Sequence, residues 1–467
     1  MDEEKSKKRY DLMTGKPIPS LIMQMAFPSI IGMLITAAYN IADTAFVAKL
    51  GTAESGAVGI VFSLMNVIQA AGLTFGIGAS SYISRLLGEK KQERASRTAS
   101  TAFFISIILG ALVAVFGLIF ITPLVYTLGA TDAIMPFARD YAFYILIGAP
   151  FMSASFVINH SLRAEGSAMM SMVGMTAGGV LNIILDPIFI YVLDLGVAGA
   201  AIATMISQII GFLILLSNFV FKKSLVRLSP RLVTLEKTLL AEIFKIGSPT
   251  FLRLALTSVA MILLNRLAAF YGDSAIAAIS IVTKVMIFLV SVIIGFGQGF
   301  QPVAGFNYSA GRYDRVWKAF WFSSVSSMAG MLILSAVTAV FSRRIMLFLQ
   351  PENFDPDVVR IGTASMIAQS LVMPLNSFVI MVNMLYQALG RAGASAMLSL
   401  SRQGICLIPA LFILDRLFNV MGLASAQAVA DFMSVLIAVP LAVVILRRIS
   451  NLMRVQKLSQ APHSEPA

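Results

Sequence analysis

The sequence predicts an all-α polytopic membrane protein of twelve transmembrane helices, arranged as two homologous six-helix lobes. Three observations predict it. Of 467 residues, 58% are hydrophobic and only 12% charged, where soluble chains carry roughly 25% charged residues. A spanning helix takes about 20 apolar residues, so the composition accommodates about a dozen. Basic residues gather in alternate connections between the apolar runs, and the second half repeats the first at a nearly constant offset.

The runs justify the elements in order. The first, 19–46, follows a polar segment carrying Lys5, Lys7, Lys8, Arg9 and Lys16. Residues 1–18 therefore read as a cytoplasmic tail, polar and joined to a full-length span rather than to the short apolar region of a cleavable signal. The second run, 55–84, leads into Lys90, Lys91, Arg94 and Arg97; the third and fourth cover 98–122 and 137–162, the fifth and sixth 167–193 and 197–221. The connections after runs three and five hold almost no cations. A basic, proline-containing seam with Lys222, Lys223, Arg227, Arg231 and Lys237 follows, giving an N-lobe of 19–222, a linker of 223–240 and a C-lobe of 241–448. Runs seven and eight, 243–270 and 274–306, precede Arg312, Arg315 and Lys318. Run nine, 319–341, ends at Arg343 and Arg344, which depart from the alternation; runs ten to twelve cover 358–388, 394–414 and 420–446. Arg447, Arg448, Arg454 and Lys457 then mark a cytoplasmic tail, 449–467. Cations retained on one side place both termini in the cytoplasm of a cell membrane, inner or plasma.

The repeat is specific. Pro28 and Gly51 recur as Pro249 and Gly272 at an offset of 221, and the segment from Gly76 (GIGASSYISRLLGEKKQERA) faces that from Gly297 (GQGFQPVAGFNYSAGRYDRV). Pro150 and Asn159 recur as Pro374 and Asn383 at 224, Gly199 as Gly422 at 223. Six spans return the chain to the same side, so the copies are parallel repeats related by an axis along the membrane normal, an architecture of transporters.

Composition excludes several chemistries. One cysteine, Cys406, allows no disulfide framework and no thiolate metal cluster. Two histidines, His160 and His463, leave little for imidazole chemistry, and no cofactor is expected. The net charge of +12 is scattered between apolar runs rather than grouped on one face, so no nucleic-acid partner is expected. The glycine-rich GLTFGIGAS lacks the Lys-Ser/Thr of a phosphate loop and reads as close helix packing. The 26 methionines suit either apolar filler or a surface that repacks around varied ligands. An intramembrane aspartyl protease would need a GxGD-type loop, which the chain lacks.

Polar groups at membrane depth mark function, because burying them is costly. In the first span Thr36, Tyr39 or Asn40, and Asp43 recur at helical spacing and share one face. In the fifth, Asn182 and Asp186 lie four apart on one face, and Pro187 frees the carbonyl of Ile183. Thr204 in the next span offers a hydroxyl. Two carboxylates in one dry cavity cannot both ionise cheaply, so one is expected to hold a proton. The same hard oxygens at Asp43, Asn182, Asp186 and Thr204 suit sodium equally, and both readings stay open. The second half offers Arg253, Asn265, Lys284, Gln298, Asn376, Asn383 and Gln387 but no carboxylate at corresponding depth until Asp431, with which Lys284 is expected to pair. Arg163 and Arg391, just after spans four and ten, read as cytoplasmic-end charges, with a gate contact as the functional alternative.

The run SRLLGEKKQERA, its echo QPVAGFNYSAGRYDRV, LRAEG against QALGRAG, and NIILDPIFI resemble the multidrug and toxic compound extrusion (MATE) transporters over essentially the whole chain. The LDP sequence together with Asp43 is similar to the DinF-like prokaryotic branch. The resemblance implies a V-shaped pair of lobes that exchanges organic cations or amphiphilic drugs for protons or sodium by alternating access. It implies ion coupling at Asp43, Asn182, Asp186 and Thr204. The substrate cavity it implies involves Tyr39, Asn40, Thr36, Tyr141, Asn159, Pro28 and Pro187. The acidic residues of the sodium-driven NorM-like branch in spans seven and ten have no counterparts; span seven has Arg253 and Arg266 instead. Small-molecule drugs and the bilayer are the expected partners, a monomer the expected state, and a lipid-linked oligosaccharide flippase of similar fold the alternative function.

Overall fold

The computed structural model describes residues 2–349 and 355–460; His463 and residues 461–467 of the expected tail lie outside them. A polar helix α1 (Asp2–Gly15) precedes α2 (Ile18–Ala48), α3 (Thr52–Gly88), α4 (Gln92–Ile119), a short α5 (Ile121–Thr127) and α6 (Met135–Ala164). Then come α7 (Ala168–Pro187), which runs into a π-helical turn over Ile188–Val192, and α8 (Gly196–Val220). The second half comprises α9 (Lys237–Ala269), α10 (Asp273–Ser309), α11 (Tyr313–Leu349), α12 (Pro356–Ala388), α13 (Ala392–Leu400), a π-helical turn over Ser401–Cys406, and α14 (Leu407–Gln460).

Among the described residues eleven helical stretches are long and apolar enough to cross a membrane, and the last, Ala392–Ser459, has 68 residues. At about 1.5 Å per residue it would be about three bilayer cores long. It is broken at Asn419, whose φ of 52° and ψ of −139° interrupt the helix. Gly422 allows the reversal, since a Cβ there would overlap the carbonyl of Leu414. Divided there, the described residues hold twelve apolar helical stretches, as the sequence predicts. Large apolar side chains such as Phe116, Ile119, Leu332, Ile333 and Val340 are exposed, a belt suited to lipid rather than water.

Repeat-equivalent residues do equivalent work. Gly166 and Gly390 turn the chain after α6 and α12 at φ of 87° and 73°, angles that side chains with a Cβ resist. Asn159 Nδ2 donates to the Ser171 carbonyl at 3.2 Å, tying α6 to α7; its counterpart Asn383 accepts from Ser395 Oγ at 2.6 Å and donates to Ser399 Oγ at 3.1 Å, tying α12 to α13.

The two halves meet where α2 packs on α10 and α3 on α9, pairings that the repeat interconverts. The approach is close enough to require glycine. A Cβ on Gly247 of α9 would overlap the Thr74 carbonyl of α3, and one on Gly78 would overlap the Ile243 carbonyl. Across the repeat, Gly295 and Gly299 of α10 press on the backbone of Ile30 and Ala26 in α2. This seals the end of the molecule nearest α1. Helix α1 lies over the seal: Arg9 donates to the Gly166 carbonyl at 3.2 Å and to Ser167 Oγ at 2.9 Å in the first half. Asn307 donates to the Met13 carbonyl at 3.0 Å and Arg315 to the Lys16 carbonyl at 2.6 Å from the second.

Gly247→Val is expected to force α3 and α9 apart at a cost of about 1–3 kcal/mol. Labelling a Thr74→Cys chain, whose side chain faces Gly247 and is 3% exposed, in a Cys406→Ser background with a small thiol reagent reports this. The buried position should be protected with Gly247 in place and become reactive in the G247V chain; equal protection would refute the packing argument.

Candidate ion and substrate site

At the opposite end lies a cavity of about 460 Å³, formed by the ends of α2 and α3 remote from α1 and bordered by α6, α8 and α10. Tyr39, Asn40 and Asp43 reach it from α2, Tyr141 from α6, Thr204 from α8 and Lys284 from α10. A deeper cleft in the first half takes Thr36, Tyr39 and Asn159, with Gln69 and Gln208. The polar stripe of the first span therefore serves both spaces.

Behind the wall stands Asp186, fully buried, with Asn182 only 2% exposed and Thr204 only 4%. Asn182 Nδ2 donates to Asp186 Oδ1 at 3.1 Å and to Thr204 Oγ1 at 3.2 Å, so one amide positions three of the expected four ion ligands. Asp43 Oδ1, Asn182 Oδ1, Asp186 Oδ2 and the Tyr141 hydroxyl are buried without a hydrogen-bond partner. Orphaned polar atoms of this kind are costly and rare; here three are acceptors. Asp43 and Asp186 are within electrostatic reach of each other, and Tyr141 of both. Concentrated acceptor oxygen with few donors suits a proton or a small hard cation.

The local fold explains the placement. Pro187 removes one helical donor, and the helix relaxes into the π turn of Ile188–Val192, a feature frequent at functional positions. Gly199 lets α8 press against the Phe189 carbonyl, bringing Thr204 beside Asn182. Two expected cavity residues do not line either space. Pro28 is buried in the half of α2 near α1, and Pro187 shapes α7 behind the carboxylates. Both act on helix geometry rather than by contact.

Of the second-half polar residues expected from the sequence, only Lys284 joins the cavity, beside Ile287. It does not pair with Asp431: Arg402 Nε holds Asp431 Oδ1 at 2.7 Å, Arg402 Nη2 reaches Oδ2 at 3.3 Å, and Gln427 donates to Oδ1 at 2.8 Å. Arg402 sits on the π turn of Ser401–Cys406. The sequence reading passed over it, although a charge inside the eleventh apolar run carries the same signal as the others. Arg253 lies within electrostatic reach of Arg402, Asn265 is exposed, and Asn376 is buried with its oxygen unpartnered.

Arg163 also departs from the expected end charge. It is 2% exposed, donates to Ser171 Oγ at 2.8 Å and to Gln298 Oε1, and so joins the halves inside the sealed end. The helix continues two residues past its apolar run, to Ala164, and carries Arg163 with it. A contact of this kind between the halves is what the gate reading expects.

A family model described as MatE matches residues 28–188 and 249–413, one copy in each half. The chain is 32% identical over 410 residues to the multidrug export protein MepA of Staphylococcus aureus (strain MSSA476), spanning 86% of this chain and 89% of that one. It is similar, at a TM-score of 0.88 and 26% identity over 96% of this chain and 99% of the other, to a solved MOP superfamily transporter from Pyrococcus furiosus, for which a reversed pocket polarity and a different function have been suggested. A multidrug resistance MATE family transporter in an outward-facing conformation matches with the same score, identity and coverage.

Proposed function

The chain belongs to the MatE family, and from that premise we propose that it is an ion-coupled antiporter, exporting organic cations and amphiphilic drugs across the cell membrane by alternating access. The carrying observation is the cluster of orphaned oxygens on Asp43, Asn182 and Asp186 at the wall of a drug-sized cavity. The reading is supported by the twofold repeat, by the seal at one end and by the open cavity at the other, and by the name of the similar export protein. With both termini cytoplasmic, the cavity faces outward.

In the proposed cycle a proton or sodium ion enters from outside and neutralises Asp43 and Asp186. Cargo held by carboxylate charge loses its counter-ion and leaves. Pro28, which interrupts the hydrogen-bond ladder of α2, gives that helix a place to bend as the site empties. Ion free energy thus becomes cargo release, with the monomer sufficient and no further cofactor required. A second reading, a flippase for lipid-linked oligosaccharides, has Lys284 in its favour, since such cargo is anionic, and the two carboxylates against it.

Ethidium efflux from energised everted vesicles or intact cells, with and without sodium and a protonophore, tests the proposal. Efflux abolished by the protonophore and indifferent to sodium is the expected result for proton coupling. A sodium requirement makes the oxygen cluster a metal-ion site, and no dye movement under any condition overturns drug export in favour of the flippase.

A further inference from the structure

We propose that Lys284 is a specificity residue that, with Asp43, makes the cavity a receptor for zwitterionic cargo: molecules bearing an amine and a carboxylate. The inference deepens the export reading and rests on it for the word cargo. Of the cavity's lining residues, Asp43 is the one acid and Lys284 the one base, and they come from opposite halves of the molecule. Lys284 shares its face of α10 with Ile287, one turn on, which also lines the space, so the side chain is directed there by helical spacing. Among the described residues its ammonium has no ion pair and no side-chain hydrogen bond. The carboxylate otherwise placed to serve the second half, Asp431, is taken by Arg402.

Lys284 is exposed and lines the cavity, so its ammonium is open to an anion that enters there. The matching deficit lies across the cavity, where Asp43 Oδ1 is buried without a donor. A simple organic cation satisfies Asp43 but brings a second positive charge towards Lys284. A molecule with an amine at one end and a carboxylate at the other satisfies both at once. The cavity, about 460 Å³, accommodates a drug-sized molecule of that kind. The two charges also differ in fate. Ion entry removes the negative charge of Asp43 and leaves Lys284 positive, so release begins at the amine end.

The test compares a fluorescent aminoquinolone carboxylic acid with its ethyl ester, which keeps the amine and lacks the anion. Equilibrium binding to the purified full chain and transport by vesicles are both measured. Wild type should bind the acid at least about tenfold more tightly than the ester, a difference of about 1.4 kcal/mol. Lys284→Gln should invert that preference, weakening the acid and tightening the ester, while Lys284→Arg restores the acid. Equal binding of acid and ester to wild type, or a parallel fall of both in K284Q, overturns the proposal. If the binding preference holds but neither compound nor ethidium is transported, the export reading falls and the charge pair stands.

Discussion

Asp186→Asn is expected to abolish ion-driven efflux while leaving a folded, well-expressed protein. The substitution keeps the shape of the side chain and one oxygen to accept from Asn182 Nδ2, now 3.1 Å away. It replaces the second, orphaned oxygen by an amide donor, in a place surrounded by unpartnered acceptors, Asn182 Oδ1 among them. The fold therefore loses little, within the about 1–3 kcal/mol of an unsatisfied buried donor. What it loses, on the proposed mechanism, is the charge that binds an ion and is neutralised by it; ion affinity falls about tenfold for each 1.4 kcal/mol forfeited, and coupled efflux falls with it. Asp43→Asn should behave alike, with the addition that cationic cargo binds more weakly, because Asp43 lines the cavity and Asp186 does not. Energised dye efflux, beside the thermal midpoint of the purified variants, measures both quantities. Normal efflux from a stable D186N protein would sink the coupling role.

Breaking the Arg402–Asp431 pair is the change expected to cost most in stability. Asp431 is 3% exposed, and its carboxylate accepts from Arg402 through two nitrogens and from Gln427 through one. Asp431→Asn strands a guanidinium between α9, the π turn and α14, with Arg253 nearby adding repulsion. Removing one partner of a buried pair costs about 3–5 kcal/mol, whereas replacing both by apolar groups is often neutral or better. The double change Arg402→Met with Asp431→Leu should thus be more stable than either single change, by thermal unfolding in detergent. A double variant weaker than both singles would show the pair to be worth more than its desolvation.

Most of the fold was legible because membrane burial leaves a coarse signal: apolar runs, alternating cations and a repeat that fixes two sets of six passes. The break at Asn419 was legible for the same reason, as the eleventh and twelfth runs stop on either side of it. The oxygen cluster was legible through spacing, since Asn182 and Asp186 lie one helical turn apart and Pro187 marks the distortion. Partner choice was not. Whether Asp431 meets Lys284 or Arg402 depends on the rotation of α10 and of the π turn about their axes, and one extra residue in a turn redirects a side chain by about 100°. Arg163 escaped for a related reason: sequence gives its distance from the end of an apolar run, and not the neighbour, Gln298, that draws it inside. The roles of Pro28 and Pro187 as shapers rather than lining residues also needed the packed helices.

Helix α1 makes the two ends of the molecule energetically unequal. The repeat alone would give a near-symmetric device, with comparable seals on either side of the midplane. Yet among the described residues α1 has no helical counterpart in the second half; through Arg9 it donates to Gly166 and Ser167, and its Met13 carbonyl accepts from Asn307 and Arg315, all at one end. Opening that end forfeits these bonds, each worth about 1 kcal/mol net. On the proposed alternating-access cycle these bonds would weight the resting ensemble towards the state closed at that end, before any ion or cargo binds.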